Sequence, residues 1–248
     1  MQTMHVSEYH KIAAFQARHW WFFGRKLFLQ QFLTRYVSGR GAEILDVGCG
    51  TGEAMLFASR LGYPRVRGLD NAEVAISFCR KQGLLAVERG DAARLSYAAG
   101  TFDAVLCLDV LEHVRDDAAV LAEMWRVLRP GGCVFITVPA FRFLWSRHDE
   151  VLQHFRRYET ADLLKLARAK PWRIRARSNF FFFIFPFVVV YRWLKRLDRR
   201  PRTSDLDLVP EPFNTALKAA SLIEVLFVRI FGRLPFGTSL YIVLEKLP

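Results

Sequence analysis

Little in this sequence points to a secreted, metal-stapled or membrane-spanning protein. Its 248 residues include four cysteines, at positions 49, 79, 107 and 133, with no CxxC pair and no Cys/His cluster. That scarcity excludes a disulfide scaffold and a structural zinc site, and favours a reducing compartment. The opening MQTMHVSEYHKIAAF lacks a basic segment followed by an apolar one, so no signal peptide is expected and the chain reads as cytosolic. The apolar run FFFFIFPFVVVY (180–191) is twelve residues long and broken by Pro186, whereas a bilayer span takes about 20. Internal repeats and low-complexity tracts are absent. A hydrophobic content of 52% with mixed charge excludes intrinsic disorder.

Acidic residues are scarce in one region. From Arg156 to Arg202, fourteen Lys and Arg stand against three acids (Glu159, Asp162, Asp198), so +11 of the formal net charge of +12 falls in one fifth of the chain. A concentrated basic block, unlike a diffuse one, implies a polyanionic surface as partner.

Residues 43–139 alternate short β-branched runs with helical periods, the pattern of βαβ units. Strands are expected at 43–47, 65–70, 84–89, 102–108 and 133–138, with helices at 53–61, 72–82 and 116–128. The third helix should stop at Arg129-Pro130-Gly131-Gly132, where proline ends the helix and glycine turns the chain. Strands that are apolar throughout, such as AVLCL and VFITV, suit a parallel sheet covered on both faces. Further on, 160–169 reads as a helix with Thr160 as N-cap, 172–179 as a sixth strand and 239–246 as a seventh. The fold expected is α/β, a doubly wound, mostly parallel seven-stranded sheet. Its parts are an N-terminal helical flap (1–41), a core (42–179), a hydrophobic and basic lid insertion (180–238) and the last strand of the core (239–248). A second amphipathic stretch covers 214–231.

The first strand runs into Asp46-Val47-Gly48-Cys49-Gly50-Thr51-Gly52, directly before a helix. Glycines there let backbone approach a ligand closely, and a helix N-terminus offers free N–H groups to an anion. Asp70 closes the second strand, where a carboxylate can accept both hydroxyls of a ribose. Glu53 stands where a GxGxxG dinucleotide fingerprint needs glycine, which disfavours NAD and FAD. A GxxxxGK loop followed by Ser or Thr is absent, which excludes P-loop hydrolysis of ATP or GTP.

DVGCGTG, GLD at 68–70, GDA at 90–92, FDAVLCLDVLEHV at 102–114 and LRPGG at 128–132 resemble, in order and spacing, the class I S-adenosylmethionine-dependent methyltransferases over about 100 residues. The resemblance implies a Rossmann-like methyltransferase fold with S-adenosyl-L-methionine as cofactor. It implies that Asp46, Gly48, Cys49 and Gly50 hold the methionine end, with Asp46 orienting the ammonium. Asp70 would hold the ribose, Asn71 would lie beside the adenine, Asp91 would accept from the adenine amine, and the Ala92 N–H would meet a ring nitrogen. The backbone at Leu108 would run along the methionine. Tyr9, His19-Trp20-Trp21-Phe22 and Gly24-Arg25-Lys26, with WSRHDEVLQHFRRY at 145–158, are similar to a bacterial subgroup associated with envelope, lipid and polysaccharide genes. In that subgroup the N-terminal helix covers the cofactor, so Arg25 would reach its carboxylate.

Methyl transfer from a sulfonium requires in-line alignment and, for a hydroxyl acceptor, removal of a proton. His113, His148 and His154 are the available bases; His113 and His148 are the expected catalytic pair, the latter beside Asp149 and Trp145. Asp109, Glu112 and His113 also resemble the carboxylate/His group of metal-assisted quinone O-methyltransferases. LEHV is common without metal, and no metal is expected. FFFFIFPFVVVY, edged by Arg173, Arg175 and Arg177 before it and Arg192, Lys195, Arg196, Arg199 and Arg200 after it, fits a helix lying in an anionic interface. The expected function is O-methylation of a hydrophobic or lipid-linked small molecule by a cytoplasmic enzyme, peripheral on the inner face of the membrane, with oligomerisation open through 180–231. An RNA methyltransferase and a non-catalytic subunit of a membrane complex are the alternatives. Nucleic acid is the less favoured partner, because RNA-binding surfaces interleave single aromatics with cations.

Overall fold

A strand covered on both faces has no polar side to alternate with, and Ile44–Val47 (β1) is buried at every position. The computed structural model describes residues 4–195 and 209–247. Two helices, Val6–Phe15 (α1) and Trp20–Tyr36 (α2), precede β1. After it come Glu53–Arg60 (α3), Val66–Asp70 (β2), Glu73–Lys81 (α4), Val87–Arg89 (β3), Phe102–Leu108 (β4), Asp117–Val127 (α5) and Leu128–Pro139 (β5). The remainder is Arg147–Val151 (α6), Thr160–Ala167 (α7), Trp172–Phe180 (β6), Phe185–Lys195 (α8), Glu211–Phe231 (α9) and Ser239–Lys246 (β7).

The sheet has seven strands in the order β3-β2-β1-β4-β5-β7-β6. β1 pairs in parallel with β2 and β4, while β7 runs antiparallel between β5 and β6. This is the doubly wound, mostly parallel sheet that the sequence pattern predicts. The order reverses at β1/β4, the switch point where such sheets bind ligands at their carboxyl ends.

Two local expectations are corrected. Arg129-Pro130-Gly131-Gly132 is not a free turn; β5 already pairs with β4 at Leu128, and the segment forms an irregularity before regular pairing resumes at Cys133. Gly131, at φ +80°, supplies the left-handed residue this requires. The N-cap of α7 is Glu159 rather than Thr160, because Glu159 and Asp162 satisfy each other's backbone N–H groups in a capping box.

The two faces of the sheet carry separate cores. Under α2, Phe32 stacks on Phe135 with centroids 4.9 Å apart, and Phe28 meets Phe180 at 4.9 Å. Gly24 lets α2 approach this packing, since a Cβ there would lie 2.5 Å from Phe181 Cε1. The phenylalanine run therefore does not form one helix. Phe180 ends β6 and is buried with Phe181, and α8 begins only at Phe185 with Pro186 in its first turn, where a missing N–H costs nothing.

Amphipathic α9 is inside out. Its inward positions include Asn214, Ser221 and Glu224, while Phe213, Leu222, Ile223, Leu226, Ile230 and Phe231 are exposed. The buried polar groups have partners. Glu224 accepts the backbone N–H groups of Phe181 (2.7 Å) and Phe183 (3.0 Å). Asn214 accepts from the Trp20 N–H (2.9 Å) and donates to the Arg18 carbonyl (3.1 Å).

Candidate active site

The carboxyl ends of β1, β2 and β4 open into a cavity of about 580 Å³ that the N-terminal helices and α8 cover. Gly48 must be glycine: its φ is +71°, and a Cβ would fall 2.5 Å from Val110 Cγ2. Gly50 also has positive φ, but nothing lies within 4 Å of its would-be Cβ, so its backbone borders open space.

Asp46, at the end of β1, is 2% exposed, and its Oδ2 has no hydrogen-bond partner among the described residues. Burial pushes its carboxyl up to about 7 against the pull of Arg25, with Asp70 and Glu53 adding to the rise. A buried carboxylate left in that state is a site for a cation. The ammonium of S-adenosylmethionine supplies one, so the residues present fit that group. Asp70, also buried, accepts from the backbone N–H groups of Gly50 and Ala72, each at 2.9 Å. Burial raises its carboxyl and these bonds lower it. Its oxygens retain lone pairs toward the cavity.

Of the other residues expected at the cofactor, Cys49, Leu108 and Arg25 line the cavity, while Asn71, Asp91 and Ala92 sit beyond it at the β2 and β3 ends. Asp91 Oδ1 accepts from the Ala93 N–H at 2.9 Å. Arg25 is bound to Glu53 (2.9 Å) and Asp109 (3.2 Å). Asp109 adopts φ +57°, a conformation in which a non-glycine residue is uncommon.

His113, His148 and His154 converge on the other end of the cavity. The His113 and His154 rings meet edge to face at 4.6 Å, and those of His148 and His154 at 6.3 Å. The carboxylate next to His148 in sequence orients His154 instead: Asp149 Oδ1 accepts from His154 Nδ1 at 3.0 Å and from Arg157 Nε at 2.8 Å. Arg192 on α8 reaches Asp149 at 3.5 Å and donates to the Leu144 carbonyl. Burial alone would raise the Asp149 carboxyl, but the His154 bond and the two guanidiniums hold it well below the usual carboxylate range. Burial lowers His113 to about 3, helped by His154, and pushes His148 well down, helped by Arg192. Both are neutral imidazoles at physiological pH.

Glu112 and His113 each leave a buried atom, Oε2 and Nδ1, without a hydrogen-bond partner among the described residues. With His154 they bring three donor atoms within 4.8 Å of one another, a set able to hold a metal ion. The metal-like group in the sequence pairs these two residues with Asp109, but Asp109 is occupied by Arg25. His154, forty-one positions after His113, replaces it.

The third wall is apolar, with Trp20 and Trp21 on one side and Ile184, Phe187, Val188 and Leu217 on the other. Arg192 faces inward, which corrects its expected place among the surface cations flanking the phenylalanine run. Arg157 is likewise buried. Arg173, Arg175 and Arg177 lie on β6, the strand expected at 172–179. Arg196, Arg199, Arg200 and Arg202 lie outside the described residues. No described helix is long and apolar enough to cross a membrane.

Residues 45–136 match the family model for a methyltransferase domain. The chain is 36% identical to a ubiquinone biosynthesis O-methyltransferase of Xanthomonas oryzae pv. oryzae, over 54% of this chain and 62% of that protein. It thus matches less than two thirds of the length of this relative. Among solved structures it is similar to the methyltransferase bound to the Trm112 methyltransferase activator of Haloferax volcanii, with a TM-score of 0.64 and 17% identity over 98% of this chain and 95% of that one. It is also similar to an S-adenosylmethionine-dependent methyltransferase from Mesorhizobium loti, with a TM-score of 0.60 and 16% identity over 88% and 96% of the two chains. Residues 45–136 thus match a methyltransferase domain, and the sheet order, the glycine loop and the unpartnered Asp46 Oδ2 fit S-adenosylmethionine as its methyl donor.

Proposed function

We propose that this protein transfers a methyl group from S-adenosylmethionine to a hydroxyl of a hydrophobic, lipid-linked small molecule at a membrane surface. The observation that carries this reading is the continuity of one cavity from Asp46 and Asp70, past three histidines, to the apolar wall of α8 and α9. The polar part of an acceptor meets the histidines, and an apolar tail lies along Ile184, Phe187, Val188 and Leu217. Bound cofactor supplies the electrophilic methyl.

The chain's own task is to orient the acceptor oxygen and take its proton. Asp149 fixes His154 with the proton on Nδ1, which leaves Nε2 as the acceptor. We assign His154 as the base. His113 and His148, held neutral by burial, shape the acceptor end and remain candidates for that proton. The relative's printed role in ubiquinone biosynthesis suggests a phenolic acceptor with a polyprenyl tail.

The inverted α9 supports the membrane location. Burying a large apolar side chain is worth roughly 1.5–3 kcal/mol, so a half-helix of such residues turned outward seeks an apolar phase. The test is transfer of labelled methyl from S-adenosylmethionine to a catechol with and without a prenyl tail. A clear preference for the tailed acceptor in vesicles supports the reading. Transfer to RNA in preference to either would replace it.

The donor set of Glu112, His113 and His154 favours a second reading, in which these residues would hold a divalent cation that would supply Lewis-acid activation of the acceptor oxygen. Loss of transfer with a chelator, restored by Zn²⁺ or Mn²⁺, would select it; unchanged transfer would leave His154 as base.

A further inference from the structure

A second cavity, of about 340 Å³, lies away from the active site, between the carboxyl end of α9, the end of α2 and strands β5, β6 and β7. Phe32, Phe135 and Tyr241 are among the residues lining it, and arginines come from three elements: Arg35 on α2, Arg175 on β6 and Arg229 on α9. Arg35 and Arg175 both stand over the Tyr36 ring, at 5.6 and 5.9 Å. Glu245 takes up the charge of Arg175 at 2.8 Å. Arg35 and Arg229 have no carboxylate partner among the described residues, so this hollow with aromatic walls carries two uncompensated guanidiniums. Ile230 and Phe231, which also line it, are 64% and 66% exposed and continue the outward apolar face of α9.

We infer that this cavity binds the phosphate-bearing headgroup of an anionic phospholipid, with the acyl chains passing over Ile230 and Phe231. Guanidinium forks match phosphate oxygens in pairs. The volume falls within the range of small-ligand sites, which starts at about 300 Å³. The placement is that of a helix lying in the interface, with apolar side chains in the acyl layer and cations at headgroup depth. A free phosphate would satisfy the arginines but would leave Ile230 and Phe231 in water, so the lipid is the occupant the surface fits. This inference rests on the membrane reading proposed above and adds lipid selectivity to it.

The test is flotation of the full chain with phosphatidylcholine vesicles, with and without phosphatidylglycerol, comparing wild type, R35Q/R229Q and a control, R60Q/R94Q, that removes the same charge elsewhere. Wild type and the control should bind the phosphatidylglycerol vesicles more tightly than the neutral ones. R35Q/R229Q should lose about 25-fold in affinity for the anionic vesicles, about fivefold per guanidinium. Its binding to phosphatidylcholine and its methylation of a short soluble acceptor should not change. An equal loss in the control, or an anionic preference retained by R35Q/R229Q, overturns the headgroup site and leaves the membrane reading intact. Absence of wild-type binding to any vesicle overturns both. Glycerol 3-phosphate bound by wild type in the absence of vesicles as tightly as the anionic vesicles would make the ligand a free phosphate and overturn the lipid.

Discussion

Asp46→Asn should move two properties in opposite directions. The Asp46 carboxyl is buried, has one oxygen without a partner among the described residues, and is raised from 3.8 to about 7. Because its folded-state pKa lies above the unfolded value, the folded protein binds more protons between the two. Stability then falls as pH rises from about 4 to about 7, and the full penalty is present above that. A rise from 3.8 to about 7 corresponds to about 4 kcal/mol, which sets an upper limit on the stability that Asn should restore at pH 8. Urea unfolding should show Asp46→Asn more stable than wild type at pH 8, with the gap closing toward pH 4.

Cofactor binding should respond the other way. The ammonium of S-adenosylmethionine needs the ionised carboxylate, so wild-type affinity should drop about tenfold from pH 7.5 to pH 6, while Asp46→Asn should lose this part of the pH dependence. At pH 7.5 the variant should bind roughly 10- to 100-fold more weakly, the effect of a lost charge-assisted hydrogen bond worth about 1.5–3 kcal/mol. Calorimetric titration at several pH values reads both effects. A variant that binds as tightly as wild type, or that keeps the wild-type pH dependence, refutes the assignment of Asp46 to the ammonium.

Asp70→Ala should weaken S-adenosylmethionine by about 1–3 kcal/mol, measured by the same titration, because the ribose hydroxyls lose their acceptor. His154→Ala should lower kcat roughly 100-fold or more with cofactor affinity unchanged, and His148→Ala should have a smaller effect in the same single-turnover assay; the reverse order would transfer the proton to His148. Gly48→Ala should destabilise the fold by roughly 1–3 kcal/mol through its left-handed backbone and the contact with Val110. Pairing it with Val110→Ala should recover part of that in thermal unfolding. Arg157→Met should cost about 3 kcal/mol of stability by stripping a partner from fully buried Asp149, and Asp149→Asn in the same chain should offset much of it.

The sequence by itself determined the sheet and the strand ends from which Asp46 and Asp70 line the cavity. Those features depend on local rules: all-apolar strands, glycines where a left-handed turn borders the cavity, and carboxylates at strand ends, each readable within a few residues. Asp46, Gly48, Gly50 and Asp70 occupy the places that their local pattern implies. Only the tertiary structure decided the histidine end of the cavity, because its partners come from distant segments. Asp149 adjoins His148 in the chain, yet the turn of α6 delivers its carboxylate to His154. Arg192 carries the same charge as its neighbours in the basic block, but it points inward because α8 docks against Asp149. The same holds for the phenylalanine run and α9. Composition marks both as apolar, but whether an apolar face packs inward or turns outward depends on what the rest of the fold sets against it. Here Phe180 and Phe181 fill the core, while the polar face of α9, anchored by Glu224 and Asn214, turns its phenylalanines and isoleucines to the outside.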